Sequence, residues 1–333
     1  MTGTPLYNNT MTIPFMLAPM AELSHRPLRE LIEGFDAPGC GGCDEYFTEM
    51  ISAGALIGGG PFESFYTDGG PCPEKVVYQL VGADPGHLAA AAALLDRLDC
   101  KGIDINMGCS APAIIRTGAG VRWMADPDRA AAMIARVRSA TRRRLSVKLR
   151  IGTEDNFDYL VAFCRRLEAE GVDLITLHPR TGKEKFKRRA RWEYVGALRS
   201  ALRIPVAGNG DIAGPEDLAR RVASGCCDAV MVGRAAVRTP WLFAAAKKTP
   251  DTGVIDLEEV ALRFLYLLTK YQPSEFHISR ARRFFNYFCD NLKWGTHVKN
   301  RLNREETLGG IERVLRGYFN ETGDRKPKPP PLS

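Results

Sequence analysis

Eight short apolar runs of β-type residues, with helically spaced stretches between them, constrain this chain more tightly than any other feature. The runs lie near residues 13–18, 44–48, 76–81, 102–106, 145–150, 174–178, 204–208 and 228–232. Such alternation predicts parallel strands joined by crossover helices. Eight strands within roughly 230 residues fit both the number and the length of a closed (β/α)8 TIM barrel. The segments 85–98, 127–141, 157–170 and 215–224 carry alanine, leucine and charge at helical spacing. Asp126-Pro127 and Gly214-Pro215 put proline where a helix begins. A doubly wound sheet is the competing architecture, yet no Gly-x-Gly-x-x-Gly follows the first run. After Trp241 the β-type runs stop, and 256–272, 274–293 and 305–319 read as amphipathic helices. The expected organisation is an α/β barrel over 1–245, a small all-α domain over 246–325 and a disordered proline-rich tail over 326–333.

Composition narrows the class of protein. With 333 residues, 45% hydrophobic and 26% charged, the chain can bury a sizeable core. The alanine-rich stretch 88–95 is too short to span a bilayer, and the N-terminal residues lack a secretory pattern. A cytoplasmic, monomeric protein without membrane contact is expected. Nine cysteines in no paired spacing point to reduced thiols rather than a disulfide framework. Cys40 and Cys43 form a CxxC with Cys72 beyond it, but a fourth ligand at matching spacing is missing, so no metal is expected. The net charge of +7 is modest and its distribution is uneven. Residues 136–150 hold seven Lys/Arg and no acid; 180–191 hold seven against Glu184, and 277–304 hold seven against Asp290. The last run is interleaved with Phe284, Phe285, Tyr287, Phe288 and Trp294. Any one run reads as a solvated helix face; three together favour a polyanionic partner.

The strand tips carry the candidate chemistry, because barrel active sites sit at the C-terminal strand ends. Gly102-Ile-Asp-Ile-Asn106-Met-Gly-Cys109 ends a strand in an amide and lifts a thiol off its tip on a glycine turn. Ala18-Pro19-Met20 offers small, rigid backbone that a flat ring can approach. Gln79 places an amide toward a heterocycle edge. Lys148 and His178 end apolar strands, and a buried unpaired lysine is costly, so Lys148 is expected to face the barrel mouth and an anion. Asn209-Gly210-Asp211 and Gly233-Arg234 fall after strands seven and eight, where barrels commonly build a phosphate site.

In this order and register, Ala18-Pro19-Met20, Gln79, Asp104-Ile-Asn106-Met-Gly-Cys109, Lys148-Leu-Arg150, His178-Pro-Arg180-Thr181, Asn209-Gly-Asp211 and Gly233-Arg234 resemble the tRNA-dihydrouridine synthases. The resemblance covers about 18–243, and Arg280 to Lys299 is similar to the family's helical tRNA-binding domain. It implies an FMN enzyme that reduces a D-arm uracil of tRNA to dihydrouracil. NADPH would supply hydride through the flavin to C6, and Cys109 would protonate C5. Thiols of ordinary pKa, about 8.5, are mostly protonated at neutral pH and suit that role. Lys148 would hold the anionic reduced flavin, and Gln79 would read a flavin edge. The wider cofactor set would be Ala18, Pro19, Met20, His178, Asn209, Gly210, Asp211, Gly233 and Arg234. Asn106, Arg180, Arg282, Arg283 and Lys299 would meet the tRNA. Three departures stand out. Ser110-Ala111 intervene before Pro112, the next loop reads Gly118-Ala-Gly120-Val-Arg122-Trp123-Met124, and Arg188 and Arg191 replace a usual glycine and aspartate. The competing functions are an FMN barrel of dihydroorotate-dehydrogenase type and a non-enzymatic RNA-binding protein.

Overall fold

The computed structural model describes residues 13–35, 42–184, 187–247 and 255–327. Its strands are β1 (Phe15–Leu17), β2 (Glu45–Phe47), β3 (Ile51–Ser52), β4 (Val76–Val81), β5 (Gly102–Met107), β6 (Arg144–Gly152), β7 (Leu174–Thr181), β8 (Val206–Asn209) and β9 (Ala229–Val232). Every pairing is parallel, and the ring closes through β1 with β9 and β2 with β4. β3 hangs on the edge of β4, so eight strands form a closed barrel, as the alternation predicts.

Each strand of the closed barrel is buried on two faces, which explains its nearly continuous apolar reading. Leu145, Val147 and Leu149 of β6 join the core beneath the outer helices. Met16, Ala18, Phe47, Val77, Leu174, Ala207, Ala229 and Met231 form a separate cluster, the fill of the barrel interior. The outer helices begin where the caps require. Asp84 accepts a hydrogen bond from His87 N ahead of Pro85, and Asp126 from Arg129 N ahead of Pro127.

The C-terminal region is all helical among the described residues, with one change of layout. Helices span Leu257–Tyr271, Ser274–Phe288, Gly295–Leu302 and Leu308–Thr322. The segment 274–293, expected as one helix, stops at Phe288. There the Asn291 side chain donates to the Phe288 carbonyl at 2.8 Å and to that of Arg238 at 2.7 Å, capping the helix and turning the chain. Phe264 and Phe284 stack with ring centroids 3.7 Å apart, and Phe285 and Phe288 pack around them. These phenylalanines are core, each worth about 1.5–3 kcal/mol on burial, and none is free to stack on a partner. Trp294, in contrast, is 59% exposed.

Helix Leu257–Tyr271 packs on the barrel helix Arg26–Glu33, and Ser274–Phe288 on the short helix Arg234–Arg238. A buried ion pair locks this seam: Arg280 Nη2 donates to Glu49 Oε1 at 2.6 Å. No helix among the described residues is long and apolar enough to cross a membrane. The expected junction near 245–255 and the tail from 328 onward lie largely outside the described residues, as does Cys40 of the CxxC.

Candidate active site

A cavity of about 490 Å³ opens at the C-terminal end of the barrel, within the roughly 300–1,000 Å³ usual for ligand sites. Ala18, Pro19, Met20, Asn106, Cys109, Lys148, His178, Arg180, Asn209, Gly210, Asp211, Gly233, Arg234 and Arg283 all line it. Period-two alternation brings them inward. Asp104 and Asn106 share one face of β5, Ser146, Lys148 and Arg150 one face of β6, and His178 and Arg180 one face of β7.

Cys109 sits on a firmly tied loop. Asn106 Oδ1 accepts from Gly108 N at 3.1 Å and from Cys109 N at 2.9 Å, an Asx-type turn. Val121 N donates to the Cys109 carbonyl at 3.0 Å, and Arg150 Nε to that of Gly108 at 3.1 Å. Gly120 lies at φ +63, and a Cβ there would collide with the Cys109 carbonyl oxygen. Ser110-Ala111 lead from the thiol into the short helix Pro112–Arg116 and leave Cys109 on the cavity wall.

The charged lining is unbalanced: Lys148, Arg150, Arg180, Arg234 and Arg283 stand against the carboxylate of Asp211. Burial, followed by the nearby Lys148, Arg150, Arg180 and Arg234 cations, holds His178 far below its ordinary pKa, so the ring is neutral. Arg180 Nη1 lies 2.9 Å from His178 Nε2. A guanidinium can only donate, so Nε2 accepts and the ring proton resides on Nδ1. Arg180 also donates to Asp211 Oδ1 at 2.6 Å and to the Arg188 carbonyl at 2.5 Å. Asp211 adopts φ +51, and Gly210 before it lies at φ +128 with His178 and Ala190 close to where a Cβ would stand. Arg191 is held by Glu184 and Asp155, so Arg188 and Arg191 brace this loop.

Burial, then repulsion from Arg150, brings Lys148 down to about 8. An ammonium with a depressed pKa is charged below that value and neutral above it. Affinity for an anionic ligand should therefore hold below pH 8 and weaken as pH rises through it, by roughly tenfold or more for one charge-assisted hydrogen bond. Calorimetric titration with inorganic sulfate from pH 6.5 to 9.5 checks this; Lys148→Met should flatten the curve.

Three expected site residues fall elsewhere. Gln79 does not line the cavity; it lies beneath it, fully buried, with its amide engaged by Asp104 and Asn106. Arg282 faces away and donates to the Glu305 carbonyl at 2.8 Å. Lys299 pairs with Asp290 at 2.6 Å. The basic run 136–150 is mostly committed within the fold, with Arg136 and Arg142 left exposed. Arg138 bridges to Asp173, Arg143 serves the carbonyls of Leu98 and Cys100, and Arg144 pairs with Glu45. Sequence reasoning also missed Tyr287 and the cavity role of Arg150. Two-residue spacing from Lys148 was the available signal for Arg150.

The sequence profile for Dihydrouridine synthase (Dus) matches residues 16–319. The chain belongs to the dihydrouridine synthase family. Among relatives of this family member is a protein of Aquifex aeolicus named "Probable tRNA-dihydrouridine synthase". The two are 31% identical over 78% of this chain and 81% of that protein. A Cupriavidus necator protein named tRNA-dihydrouridine(16) synthase is 30% identical over 90% of this chain and 96% of its own length. In architecture the dihydrouridine synthase barrel is similar to a 2-naphthoyl-CoA reductase, with TM-score 0.53 and 12% identity over 71% of this chain and 50% of that one. That likeness concerns the fold.

Proposed function

We propose that this family member is an FMN-dependent, NADPH-linked oxidoreductase that reduces the C5–C6 double bond of a D-arm uridine in tRNA. The observation that carries the reading is a thiol, Cys109, on the wall of a strongly electropositive barrel-mouth cavity. Five cations against one carboxylate suit a phosphate-bearing cofactor and an RNA strand, and the small residues Ala18, Pro19 and Gly233 suit a flat ring. FMN, when bound, supplies the hydride delivered to C6, and NADPH is the source of that hydride.

The remaining work belongs to this chain. Ala18, Pro19, Met20 and Gly233 would bed the ring, with Lys148 and neutral His178 at its polar edge. Asn209, Gly210 and Arg234 would hold the phosphate end, and Asp211 acts there through Arg180. Asn106 would use its remaining hydrogen-bonding capacity toward the imide edge of the uracil. Cys109 would deliver the proton to C5. The target base must leave its stack to reach this cavity, so the RNA has to be gripped around it. Arg283 and Tyr287 at the rim would provide part of that grip, with the exposed Lys183, Lys187, Arg188 and Arg189 beyond it.

Mapping dihydrouridine in tRNA from cells with and without this protein tests the reading. Loss of D-arm dihydrouridine in its absence is the expected result, and an unchanged set overturns it. Arg283→Glu should weaken tRNA binding, reduce the salt slope by about one and leave FMN occupancy intact. RNA binding that stays flat through a salt titration would contradict the phosphate grip.

A further inference from the structure

We propose that Asp104 is a positioning residue: as the acceptor at the root of a buried relay, it orients the amides of Gln79 and Asn106 and thereby the turn that carries Cys109. The relay runs through four residues. Asp104 Oδ1 accepts from Ser146 Oγ at 2.6 Å, and its Oδ2 accepts from Gln79 Nε2 at 2.7 Å. Gln79 Oε1 then accepts from Asn106 Nδ2 at 2.8 Å. Asn106 Oδ1 finally accepts the backbone N–H groups of Gly108 and Cys109.

Direction is the important property. An ionised carboxylate only accepts, whereas an amide presents oxygen on one side and NH2 on the other. With an acceptor at 104, Gln79 must turn its NH2 down and its oxygen up. Asn106 must then turn its NH2 toward Gln79 and its oxygen toward the two N–H groups at the thiol turn. Reversing any amide would set donor against donor and leave buried groups unpaired. Asp104 and Gln79 are fully buried and absent from the cavity lining. They act on the site through Asn106.

The test exchanges acid and amide. Gln79→Glu alone sets two buried carboxyl groups face to face, and a proton shared between them would let position 79 donate as the amide does. All variants are therefore compared at pH 9, well above the value of about 6 to which burial raises Asp104. There the shared proton is lost, and with it the donor that Asp104 accepts. Asp104→Asn combined with Gln79→Glu restores the direction. The amide now at position 104 donates to the carboxylate now at position 79 and still accepts from Ser146, while that carboxylate accepts from Asn106. The exchange also keeps one negative charge beneath Lys148. Expected for Gln79→Glu is a fall in kcat of about tenfold to a hundredfold with KM for tRNA within about twofold, and a changed alkylation rate at Cys109, read by peptide mass spectrometry after iodoacetamide. The double variant should recover to within about threefold on both readouts. Asp104→Asn alone should stay near the parent, because asparagine can accept from Gln79 while donating to Ser146. A double variant no better than Gln79→Glu overturns the proposal, as does a Gln79→Glu protein with parental Cys109 reactivity.

The inference rests on Cys109 as the proton donor, and the two can fail separately. Alkylation reports the relay whatever the reaction, whereas full activity in Cys109→Ala would refute the donor role alone.

Discussion

Cys109→Ala should lose dihydrouridine formation by about 10²–10⁴-fold, the usual contribution of a positioned general acid. On the proposed reading the thiol would act on C5 of the uracil after hydride delivery, so the loss should fall on kcat. FMN loading should be unchanged, since the cations and small residues of the cavity are untouched. Reduction of the bound flavin by NADPH, followed by stopped-flow absorbance, should also proceed at the parental rate. The substitution is mild structurally: Cys109 is half-buried, and its loop is held by backbone contacts to Asn106, Val121 and Arg150 rather than by sulfur. Mass spectrometry of nucleosides from treated tRNA gives the measurement. Parental turnover would remove Cys109 from the chemistry. A flavin-free parent protein would remove the oxidoreductase reading altogether and leave an RNA-binding protein as the alternative.

Arg280→Ala is expected to cost roughly 3–5 kcal/mol of stability, because it leaves a buried carboxylate without its cation. Both side chains of the Arg280–Glu49 pair are almost inaccessible, at 3% and 4%. Glu49 would keep the Glu22 N–H at 2.7 Å and the weaker pull of Arg29, and burial already raises its pKa despite both arginines. The guanidinium also stacks 4.5 Å from the centre of the Phe276 ring, which adds packing to the loss. Urea unfolding should show the effect as a lower midpoint. Arg280→Met with Glu49→Gln should recover part of it, since the uncompensated charge is then gone and an acceptor for Glu22 N remains. A single substitution within about 1 kcal/mol of the parent would mean the seam is held by its aromatic packing instead. Arg280, Arg283 and Tyr287 follow i, i+3, i+7 spacing on one helix face. Loosening the first should therefore disturb the two that reach the cavity, and tRNA affinity should fall together with stability.

That spacing also shows where sequence reading stopped short. Arg282 and Arg283 are neighbours in a basic run and look equivalent, yet helical geometry turns them about 100° apart. Arg283 reaches the barrel mouth, and Arg282 binds the Glu305 carbonyl. Run composition was informative about net charge and silent about facing. Phe284, Phe285 and Phe288 illustrate the same point: aromatic residues among cations resemble a stacking surface, and burial makes them the core of the helical region.

Local patterning settled the barrel, its eight staves and the identity of most cavity-lining residues. Strand pleat and strand ends are properties of a few consecutive residues, so Asp104 and Asn106, Lys148 and Arg150, or His178 and Arg180 could be assigned to one face from spacing alone. Folding in three dimensions decided which polar groups were left for a ligand. Arg144 looks like any other cation of its run until it meets Glu45, 99 positions away. Gln79 looks unattached until Asp104 and Asn106 meet its amide from other strands. A side chain's pattern is written locally, but its partners arrive from distant segments, and hydrogen-bond satisfaction depends on the partners.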